Sequence, residues 1–485
     1  MENQSSIHSK HMPRLESQTL AKRIYSACPW YVQNIFVSAY GLILMQRLTS
    51  AEVKRQLAIY MQTQWFSKTG LQHYQSQKLH VLIHHAYQHV PYYHKLFDRL
   101  HLSPDDIHEA ADLQKLPLLT KRDVRENLDE LFATTIDRRK MNAMATSGTT
   151  GSPTTVYVTS HNAATERALN LRMRAWAGWS VEQKRATFTG YSVVPQGPQP
   201  LPWWREDWPE HRLFLSPYHM THDNMGQYIE AIRAFQPRVI EGYPSYISFL
   251  AEELECRDEK LPVQAVFTSS ETLYPHQHQI IEERFGKIFD WYGLTERAAS
   301  AAQCEQSDGY HVNAEKTIVE IVRRDGSVAY PGEHGEIVGT NLEEFGMPLI
   351  RYCSGDVSAL REQPCACGRN LPVIEQIQTR VDDIITTSDG RLINPAPLAG
   401  LFRSPGIDRG RIIQEDLSHY TVQILPTTDY RESDSAQIVK GMHAVLGAAI
   451  QIRVDVVDQI PCQGNGKYPF VISKVRTSAR EGVKP

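Results

Sequence analysis

The sequence predicts an α/β protein in which a large domain is followed by a smaller α+β domain. From residue 141 to about residue 377, short apolar runs recur, and most of them are soon followed by Gly, Ser, Thr or Pro. Helix-like stretches separate several of these runs, and this alternation is typical of an α/β domain with loops at its strand ends. After Arg380 the pattern changes to two strand-like runs that flank one helix-like stretch, which indicates a separate domain of about a hundred residues.

The elements follow in order along the chain. Residues 1–75 are polar and helix-like with aromatic residues among them, and we expect a helical extension or cap. A helix that begins at Leu79 is expected to end near Pro91, because proline stops a helix near the residue before it. The large domain is placed at residues 76–380 and the small domain at residues 381–485. The predicted strands are Val156–Val158, Val239–Ile240, Ala265–Phe267, Ile288–Phe289, Ile337–Val338, Thr421–Leu425 and Ile450–Val457. The predicted helices are Met225–Phe235, Ser245–Cys256, Pro275–Phe285 and Ser435–Ala448.

Composition excludes several classes of protein. The 485 residues include 51 Lys and Arg against 55 Asp and Glu, and this net charge of −4 gives no electrostatic reason to expect nucleic acid or an anionic membrane as the main partner. The longest strongly apolar run, Phe36 to Met45, has about half the length needed to span a bilayer, so no transmembrane helix is predicted. Because Met1 to Arg14 lacks the apolar core of a secretory signal, we expect a cytoplasmic protein. The 7 cysteines are sparse, which favours reduced thiols or a metal site over a disulfide framework.

The strongest local pattern is a run of hydroxyl residues and glycines from Thr146 to Thr155, which contains no large side chain. Glycines permit tight turns that aim backbone N–H groups at phosphate oxygens, and the hydroxyls add further donors. The run is not a Walker A sequence, because no Gly-Lys-[Ser/Thr] closes it. It predicts either a phosphate-binding loop or a flexible linker.

Three further patterns carry polar residues that could bind a nucleotide. The segment Asp290–Glu296 follows a strand-like run, and ligands of open α/β sheets gather at strand ends. The alternative is a strand-to-helix turn capped by Thr295. In Arg351–Asp356 the last carboxylate could accept hydrogen bonds from ribose hydroxyls, or the segment could be a plain turn. The loop Gly464–Lys467 presents one lysine, Lys467, which is either functional or simply solvated.

In their order and spacing, these four patterns resemble those of the adenylate-forming ligases, specifically the phenylacetate–coenzyme A ligase group and its capsular-polysaccharide-type relatives. The resemblance runs from about Lys78 to Lys474. Further stretches that resemble this group are Ala86–Tyr93, Leu116–Lys121, Gly242–Ser245, Thr268–Glu271 and Thr379–Asp383. It implies the fold of these ligases, in which a large N-terminal α/β domain precedes a smaller, mobile α+β domain.

The resemblance also implies an activity. A carboxylic acid would be activated by ATP as an acyl-adenylate with release of pyrophosphate, and the acyl group would then pass to a thiol such as coenzyme A. The partners would be small molecules, namely the acid and the acceptor. Two alternatives stay open: transfer to an amine, a hydroxyl or a carrier protein, and an inactive homologue that only binds nucleotide.

A role is implied for each matched residue. Lys467 would bridge the carboxylate of the acid and the α-phosphate of ATP, a task that suits a mobile point charge. Glu296, with Thr295 beside it, would act in catalysis and help to hold Mg²⁺, and Asp382 would be the hinge of the small domain. The implied nucleotide-binding residues are Thr146, Ser147, Gly148, Thr149, Thr150, Gly151, Ser270, Glu271, Tyr292, Gly293, Asp356 and Arg380. The implied acid pocket consists of Tyr243, Pro244 and Ser245.

Two of the departures from the family pattern concern the first loop and the segment from Tyr191 to Pro217. Many members have Lys after the second glycine of the first loop, where this chain has Ser152, so one phosphate contact is missing or replaced. The segment from Tyr191 to Pro217 matches poorly and contains Trp203, Trp204 and Trp208. These tryptophans either line a pocket for an aromatic or acyl group or pack in the core.

The positions of four Cys and His residues suggest a metal. Cys304 and His311 follow the Asp290–Glu296 pattern, and Cys365 and Cys367 follow Asp356. If both patterns converge on one nucleotide, the two pairs should lie near one another and could close a tetrahedral structural zinc site. Because Cys-x-Cys is a less diagnostic spacing than Cys-x-x-Cys, a packing role for these residues is the alternative.

Overall fold

The structure is a computed structural model, and it describes most of the chain. The described residues are 20–145, 154–188, 193–195, 200–377, 385–387, 392–393, 398, 400–402, 404, 406–460 and 469–475. Their α-helices are α1 (Leu20–Ala27), α2 (Trp30–Leu48), α3 (Ala51–Thr63), α4 (Lys68–His89), α5 (Pro91–Leu100), α6 (Lys121–Glu126), α7 (Ser160–Trp176), α8 (Met225–Phe235), α9 (Pro244–Cys256), α10 (Pro275–Arg284) and α11 (Glu432–Leu446). Short 3₁₀ helices occupy Pro104–Asp106, Ala110–Lys115, Arg138–Lys140, Pro217–His219, His222–Asn224 and Gly400–Phe402.

The strands of the described residues form five sheets. The strands are β1 (Asn142–Ala145), β2 (Thr155–Val158), β3 (Arg185–Phe188), β4 (Trp204–Asp207), β5 (Arg212–Leu215), β6 (Val239–Gly242), β7 (Ala265–Ser269), β8 (Ile288–Gly293), β9 (Ser300–Ala302), β10 (Tyr310–Val312), β11 (Thr317–Val322), β12 (His334–Asn341), β13 (Tyr352–Ala359), β14 (Val373–Ile374), β15 (Ile385–Thr386), β16 (Leu392–Ile393), β17 (Ile407–Gln414), β18 (His419–Pro426), β19 (Gln451–Val456) and β20 (Val471–Ser473). Two of the sheets are the antiparallel pairs β1–β2 and β15–β16.

A nine-stranded sheet with the order β14-β10-β9-β8-β7-β6-β3-β5-β4 forms the centre of the large region. Its five middle strands, β8, β7, β6, β3 and β5, run parallel, whereas the strands at both ends are antiparallel to their neighbours. Helices α8, α9 and α10 cover one face, where Ile229, Leu250 and Ile281 join one core with Ile240 and Val266. On the opposite face α7 contributes to a second core that contains strand residues of β6, β7 and β8. Because both faces are buried, β6, β7 and β8 each begin with apolar residues, whereas β3 and β5 begin with Arg185 and Arg212.

Two smaller sheets complete the fold. Strands β11, β12 and β13 form an antiparallel sheet whose core is shared with α4 and α5. In the C-terminal region, β19, β18, β17 and β20 form a sheet in that order, with antiparallel pairing at β17–β18 and parallel pairing on either side. Helix α11 packs on this sheet through Ile438 and Met442, which share a core with Ile412 and Val422.

The N-terminal helix α2 lies along β4, the edge strand of the large sheet. Its side chains take the place of a neighbouring strand: the Glu206 N–H donates to Asn34 Oδ1 at 3.2 Å, and Ser38 Oγ donates to the Glu206 carbonyl at 3.4 Å. The Trp208 N–H donates to Ser38 Oγ at 3.1 Å. None of the described helices is both long enough and apolar enough to cross a membrane.

The fold class predicted from the sequence is confirmed. Helix α4 ends at His89, and Pro91 begins α5, where its missing N–H removes no helical hydrogen bond. Helix α4 also runs without a break across the boundary predicted between residues 75 and 76. Two predicted strands, Val156–Val158 and Ile337–Val338, lie in antiparallel pairs outside the large sheet, because a short apolar run does not specify the sheet that it joins.

Candidate active site

Several predicted site residues lie outside the described residues. These are Thr146, Ser147, Gly148, Thr149, Thr150, Gly151, Arg380, Asp382 and Lys467, together with Ser152. Their roles stay predictions. The residues that the structure does place are those at the ends of β6, β7 and β8, those in β13, and the four Cys and His residues.

The predicted acid pocket and part of the predicted nucleotide site meet at the start of α9. Tyr243 precedes this helix and Pro244 is its first residue. Glu271, just after β7, accepts a hydrogen bond of 3.2 Å from the Ser245 N–H through Oε2. A carboxylate at this position satisfies an N–H of the first helical turn and interacts favourably with the helix dipole. Ser270, between β7 and Glu271, has a φ of 73°, so the chain turns sharply where β7 ends.

Tyr292 and Asp356 connect two of the sequence patterns. Tyr292 is in β8 of the large sheet, and Asp356 is buried in β13 of the three-stranded sheet. The Tyr292 hydroxyl donates to Asp356 Oδ2 at 2.9 Å. The hydrogen bond therefore joins the residue predicted to contact adenine to the residue predicted to bind ribose.

Glu296 is buried and held by a second tyrosine. Tyr352, the first residue of β13, donates from its hydroxyl to Glu296 Oε1 at 2.7 Å. Glu296 follows β8 by three residues, and no helix follows it, since the chain continues into β9. The alternative in which Thr295 caps a helix is therefore wrong. The motif is partly a strand and partly the loop between two antiparallel strands.

A third buried carboxylate in this region, Asp290, follows the same arrangement. Its Oδ2 accepts a hydrogen bond of 2.7 Å from the Tyr310 hydroxyl, and its Oδ1 accepts one from Thr268 Oγ1. Burial raises the pKa of Asp290 and the hydrogen bonds oppose that shift. Asp290, Glu296 and Asp356 are thus each paired with a tyrosine hydroxyl, and none of the three tyrosines carried a predicted role as a donor to these carboxylates.

Arg351 fixes the start of β13. Its guanidinium makes two hydrogen bonds to Glu320, at 3.1 and 2.9 Å, and its Nη1 donates to the Leu116 carbonyl. The backbone around Leu119 exchanges hydrogen bonds with Arg351 and Cys353. The stretch Leu116–Lys121, which resembles the ligase group, therefore supports the strand that carries Asp356. The plain turn considered for Arg351–Asp356 is wrong, since these residues are mostly strand.

An ion-pair cluster beside Gly293 could not be predicted from the sequence. Glu166 of α7 contacts the ammonium of Lys316 and lies 3.6 Å from Arg297 Nη1. Although burial acts to raise the pKa of Glu166, the Lys316 ammonium holds it below its ordinary value. Gly293 lies beside this cluster, because a Cβ built there would be 3.7 Å from Glu166 Oε1 and 2.7 Å from Trp291 Nε1. No local pattern could have joined residues this far apart in sequence.

The four predicted metal ligands converge. One ligand atom from each of Cys304, His311, Cys365 and Cys367 lies within 4.8 Å of the others. Cys304 Sγ is 3.6 Å from Cys365 Sγ, and Cys367 Sγ is 3.3 Å from His311 Nε2. Ligands of one tetrahedral zinc are about 3.5–3.8 Å apart, so the donors fit zinc in type and spacing. Burial lowers the pKa of His311 to about 4, which leaves a neutral imidazole near neutral pH.

The tryptophans of the poorly matching segment divide into two groups. Trp203 stacks on Tyr228 of α8 and on His219, and Trp204 meets Tyr228 edge to face. Both tryptophans pack against the core below α8, so the packing interpretation describes them. Trp208 is exposed instead and lies beside α2.

The chain is similar to known proteins over most of its length. A family model described as the CapK C-terminal domain matches residues 385–474. Protein CapK of Staphylococcus aureus is 24% identical over 468 residues, which cover 93% of this chain and 99% of that protein. The phenylacetate-coenzyme A ligase of Escherichia coli (strain K12) is 32% identical over 333 residues, covering 67% of this chain and 72% of the ligase.

A solved structure shows the same fold. The 2-hydroxyisobutyryl-CoA ligase in complex with R3-HIB-AMP aligns with a TM-score of 0.63 and 19% identity, over 82% of this chain and 89% of that one. The fold is that of the adenylate-forming ligases, with a large N-terminal and a smaller C-terminal domain. Within that class, the chain belongs to the family of phenylacetate–coenzyme A ligases and their CapK-type relatives, which confirms the resemblance found in its motifs.

Proposed function

We propose that this protein activates a carboxylic acid with ATP as an acyl-adenylate, releases pyrophosphate, and transfers the acyl group to a thiol such as coenzyme A. The observation that carries the proposal is the Tyr292–Asp356 hydrogen bond, which brings together two motifs 64 residues apart. Four of the relatives are named phenylacetate-coenzyme A ligases. The ligase of similar fold has also been solved with 2-HIB-AMP and CoA in the thioesterification state, at a TM-score of 0.53.

In this proposal the described residues form the fixed part of the site. Asp356 accepts hydrogen bonds from the ribose hydroxyls, and Tyr292 both orients that carboxylate and lies against adenine. Ser270, Glu271 and Gly293 line the nucleotide at the ends of β7 and β8. Because Glu271 also bonds the Ser245 N–H, the nucleotide and the acid pocket share one rigid boundary.

Glu296 is suited to help hold Mg²⁺. A carboxylate offers about four lone-pair sites, and Tyr352 occupies one of those on Glu296 while fixing the orientation of the group. When bound, Mg²⁺ neutralises the charge that develops on the phosphates. The loop Thr146–Gly151 would complete the phosphate site.

Lys467 and Asp382 belong to the moving part of the site. We propose that residues 381–485 turn about Asp382 between the two half-reactions, and that Lys467 approaches the carboxylate and the α-phosphate during the first. These two roles rest on the match to the family pattern.

A second candidate differs in the acceptor. The match to CapK extends over nearly the full length of both chains, and residues 385–474 match the CapK C-terminal domain, whereas the E. coli ligase matches only 67% of this chain. Because the coenzyme A ligase matches only part of this chain, the second candidate is transfer of the adenylate to an amine, a hydroxyl or a carrier protein instead of coenzyme A.

We also propose one structural zinc per chain at Cys304, His311, Cys365 and Cys367. Because Cys304 follows β9 and Cys365 lies in the loop after β13, this ion would tie the edge of the large sheet to the loop beyond Asp356. Four protein ligands leave no open coordination position, so the ion would act in folding and not in the reaction.

The proposal is tested by acid-dependent exchange of labelled pyrophosphate into ATP across a panel of aryl, fatty and amino acids. Exchange with at least one acid is expected. Product analysis with and without coenzyme A then separates the thioester from the other acceptors. If ATP binds but no acid supports exchange, the chain is the inactive nucleotide-binding homologue.

A further inference from the structure

Helix α2 has its polar and apolar faces reversed relative to an ordinary surface helix. Its buried residues are Gln33, Asn34, Ser38 and Gly41. The large apolar residues of this helix that are 47–59% exposed are Trp30, Tyr31, Ile35, Phe36, Tyr40, Leu42 and Ile43. A surface helix normally buries its apolar stripe, so this exposed set needs an explanation.

The orientation of α2 is fixed from the inside. Asn34 and Ser38 are hydrogen-bonded to the backbone of β4, and Gln33 Oε1 accepts from the Arg205 guanidinium at 2.6 Å. Gln33 Nε2 donates to the Tyr25 and Cys28 carbonyls, which holds the turn between α1 and α2. Rotating the apolar face inward would break all of these bonds and leave polar groups buried without partners.

The charge of this segment differs from that of the whole chain. Residues 20–48 contain three basic residues and no Asp or Glu, although the complete chain carries a net charge of −4. Arg23 and Arg47 are exposed near the two ends of the helical pair. Of the two acidic residues in β4, Asp207 is buried, and Glu206 accepts a hydrogen bond from Trp208 Nε1.

We propose that the outward face of α2, defined by Ile35, Phe36, Tyr40, Leu42 and Ile43, binds the surface of an anionic lipid bilayer. An exposed apolar face with basic residues at its ends and aromatic residues within it is the pattern of helices that lie in the membrane interface. The apolar side chains enter the boundary between headgroups and acyl chains, while the arginines contact anionic headgroups. The protein binds as a peripheral protein with α2 parallel to the surface.

Other occupants fit this face less well. The preceding residues 1–19 include only four Met, Ile or Leu residues, too few to cover the face. A second copy of the chain would meet this face with the same face, as two-fold symmetry requires. That arrangement would bring basic residues together, and residues 20–48 supply no carboxylate to pair with them.

The test is flotation of the full-length chain with vesicles of phosphatidylcholine alone or of phosphatidylcholine and phosphatidylglycerol in equal parts. We expect binding to the anionic vesicles that weakens as salt is added, and weaker binding to phosphatidylcholine. The double variant Leu42→Glu/Ile43→Glu should bind anionic vesicles at least about tenfold more weakly. The control Val81→Glu/Val456→Glu changes the charge equally at exposed valines on α4 and β19, and it should bind as the unmodified chain does.

A second variant keeps the test informative if the first one folds poorly. Arg23→Gln/Arg47→Gln should lower binding to the anionic vesicles and leave binding to phosphatidylcholine unchanged. Failure of the unmodified chain to float with either vesicle, or equal flotation of the Leu42→Glu/Ile43→Glu variant, overturns the proposal. A chain that does not float but is a dimer in light scattering, and becomes a monomer in that variant, assigns the face to a second copy instead. None of these outcomes depends on the proposed ligase activity, because flotation needs no substrate.

Discussion

The region around β8 and β13 differs from the C-terminal region in where it buries charge. In the first, Asp290, Glu296 and Asp356 are all buried, and each accepts a hydrogen bond from a tyrosine. In the described part of the C-terminal region the carboxylates lie closer to the surface, including Asp408 with its side chain 12% exposed, and the core consists of side chains such as Ile412 and Met442.

This difference indicates that the large region and the C-terminal region have different roles. Burying a carboxylate is unfavourable unless hydrogen bonds compensate, and the three tyrosine-bonded carboxylates close to two sequence motifs support the proposed ligand site. The C-terminal region is an ordinary apolar folding unit, and any chemistry that it contributes must come from its loops. The large region would fix the geometry of the site, and the small region would deliver one residue to it.

The largest effect is expected for the residue that the small region would deliver. Lys467→Ala should lower pyrophosphate exchange at least about a hundredfold, roughly 2.7 kcal/mol in barrier, because a single ammonium would offset charge between two anions. The control is Lys474→Ala, which removes an exposed lysine of the same region that pairs with Glu415. Exchange that is equal in both variants would show that the two regions do not cooperate through Lys467.

The second-largest effect is expected on stability, from loss of the proposed zinc site of the large region. Cys365→Ser should remove the zinc and lower the free energy of unfolding by more than about 2 kcal/mol, because loss of a metal cross-link is among the larger single-site effects. Elemental analysis of protein purified without metal-chelate resin measures the zinc content, and denaturant unfolding measures the free energy of unfolding. Cys256→Ser, at an exposed cysteine, is the control. If the unmodified protein holds less than about a tenth of an equivalent of zinc, the four Cys and His residues have a packing role instead.

A proline at the boundary should separate the two half-reactions. Asp382→Pro fixes φ and stiffens the link, so adenylate formation should stay nearly intact while transfer to the acceptor slows by about tenfold. Single-turnover measurements follow each step, and Asp382→Ala, which keeps the link flexible, should preserve both. Equal loss of both steps in the proline variant would mean general misfolding, or no movement between the regions.

A smaller effect is expected from removing one tyrosine hydroxyl. Tyr292→Phe removes the hydroxyl that donates to Asp356 Oδ2 and should raise the KM for ATP about fivefold, roughly 1 kcal/mol. Tyr420→Phe removes the C-terminal hydroxyl that accepts from Gln414 Nε2, and it should change stability without changing that KM. A KM that rises equally in both variants would argue against a special role for the carboxylate–tyrosine pairs.

The smallest effect is a change in pH dependence at Asp207, a buried carboxylate whose Oδ2 has no partner among the described residues. Burial raises the pKa of Asp207 to about 6, above its unfolded value. Its charged form is therefore disfavoured in the folded protein, and stability falls as pH rises from about 4 to about 6. Asp207→Asn should remove that fall, so the variant should gain stability relative to the unmodified chain across this interval in urea unfolding. If the stability of the variant differs from that of the unmodified chain by the same amount at every pH, the pH dependence does not come from Asp207.

Much of the fold could be predicted because its signals are local. Met225–Phe235 is helical with the predicted bounds, since its apolar spacing and its ends are all within the segment. Strands β6, β7 and β8 could be recognised because burial on both faces makes their first residues apolar. Strands β3 and β5, which contain Arg185 and Arg212, were not predicted. Which sheet Ile337–Val338 joins could not be predicted, because that depends on partners distant in sequence.

The candidate site also has residues that could be predicted from local patterns and residues that could not. Tyr292, Glu296 and Asp356 could be proposed as site residues because each lies in a short pattern shared with a family. The donors Tyr352 and Tyr310, and the Glu166–Lys316 pair, are set by tertiary structure, and nothing local marks them. The orientation of α2 was equally hidden, because the run from Phe36 to Met45 shows that the helix is apolar but not which face meets the protein.

The hydrogen bonds between α2 and β4 also decide where the large sheet stops. An edge strand with open N–H and C=O groups is a template on which another strand can add, and such addition leads to aggregation. In this chain Asn34 and Ser38 occupy backbone positions at Glu206 and Trp208 that an incoming strand would need. Gly41 allows the helix to approach closely, because a Cβ there would lie 2.1 Å from Asp207 Oδ2. A chain shortened to begin after Leu48 would expose this edge. We expect such a chain to precipitate in the cell, and not merely to lose its activity.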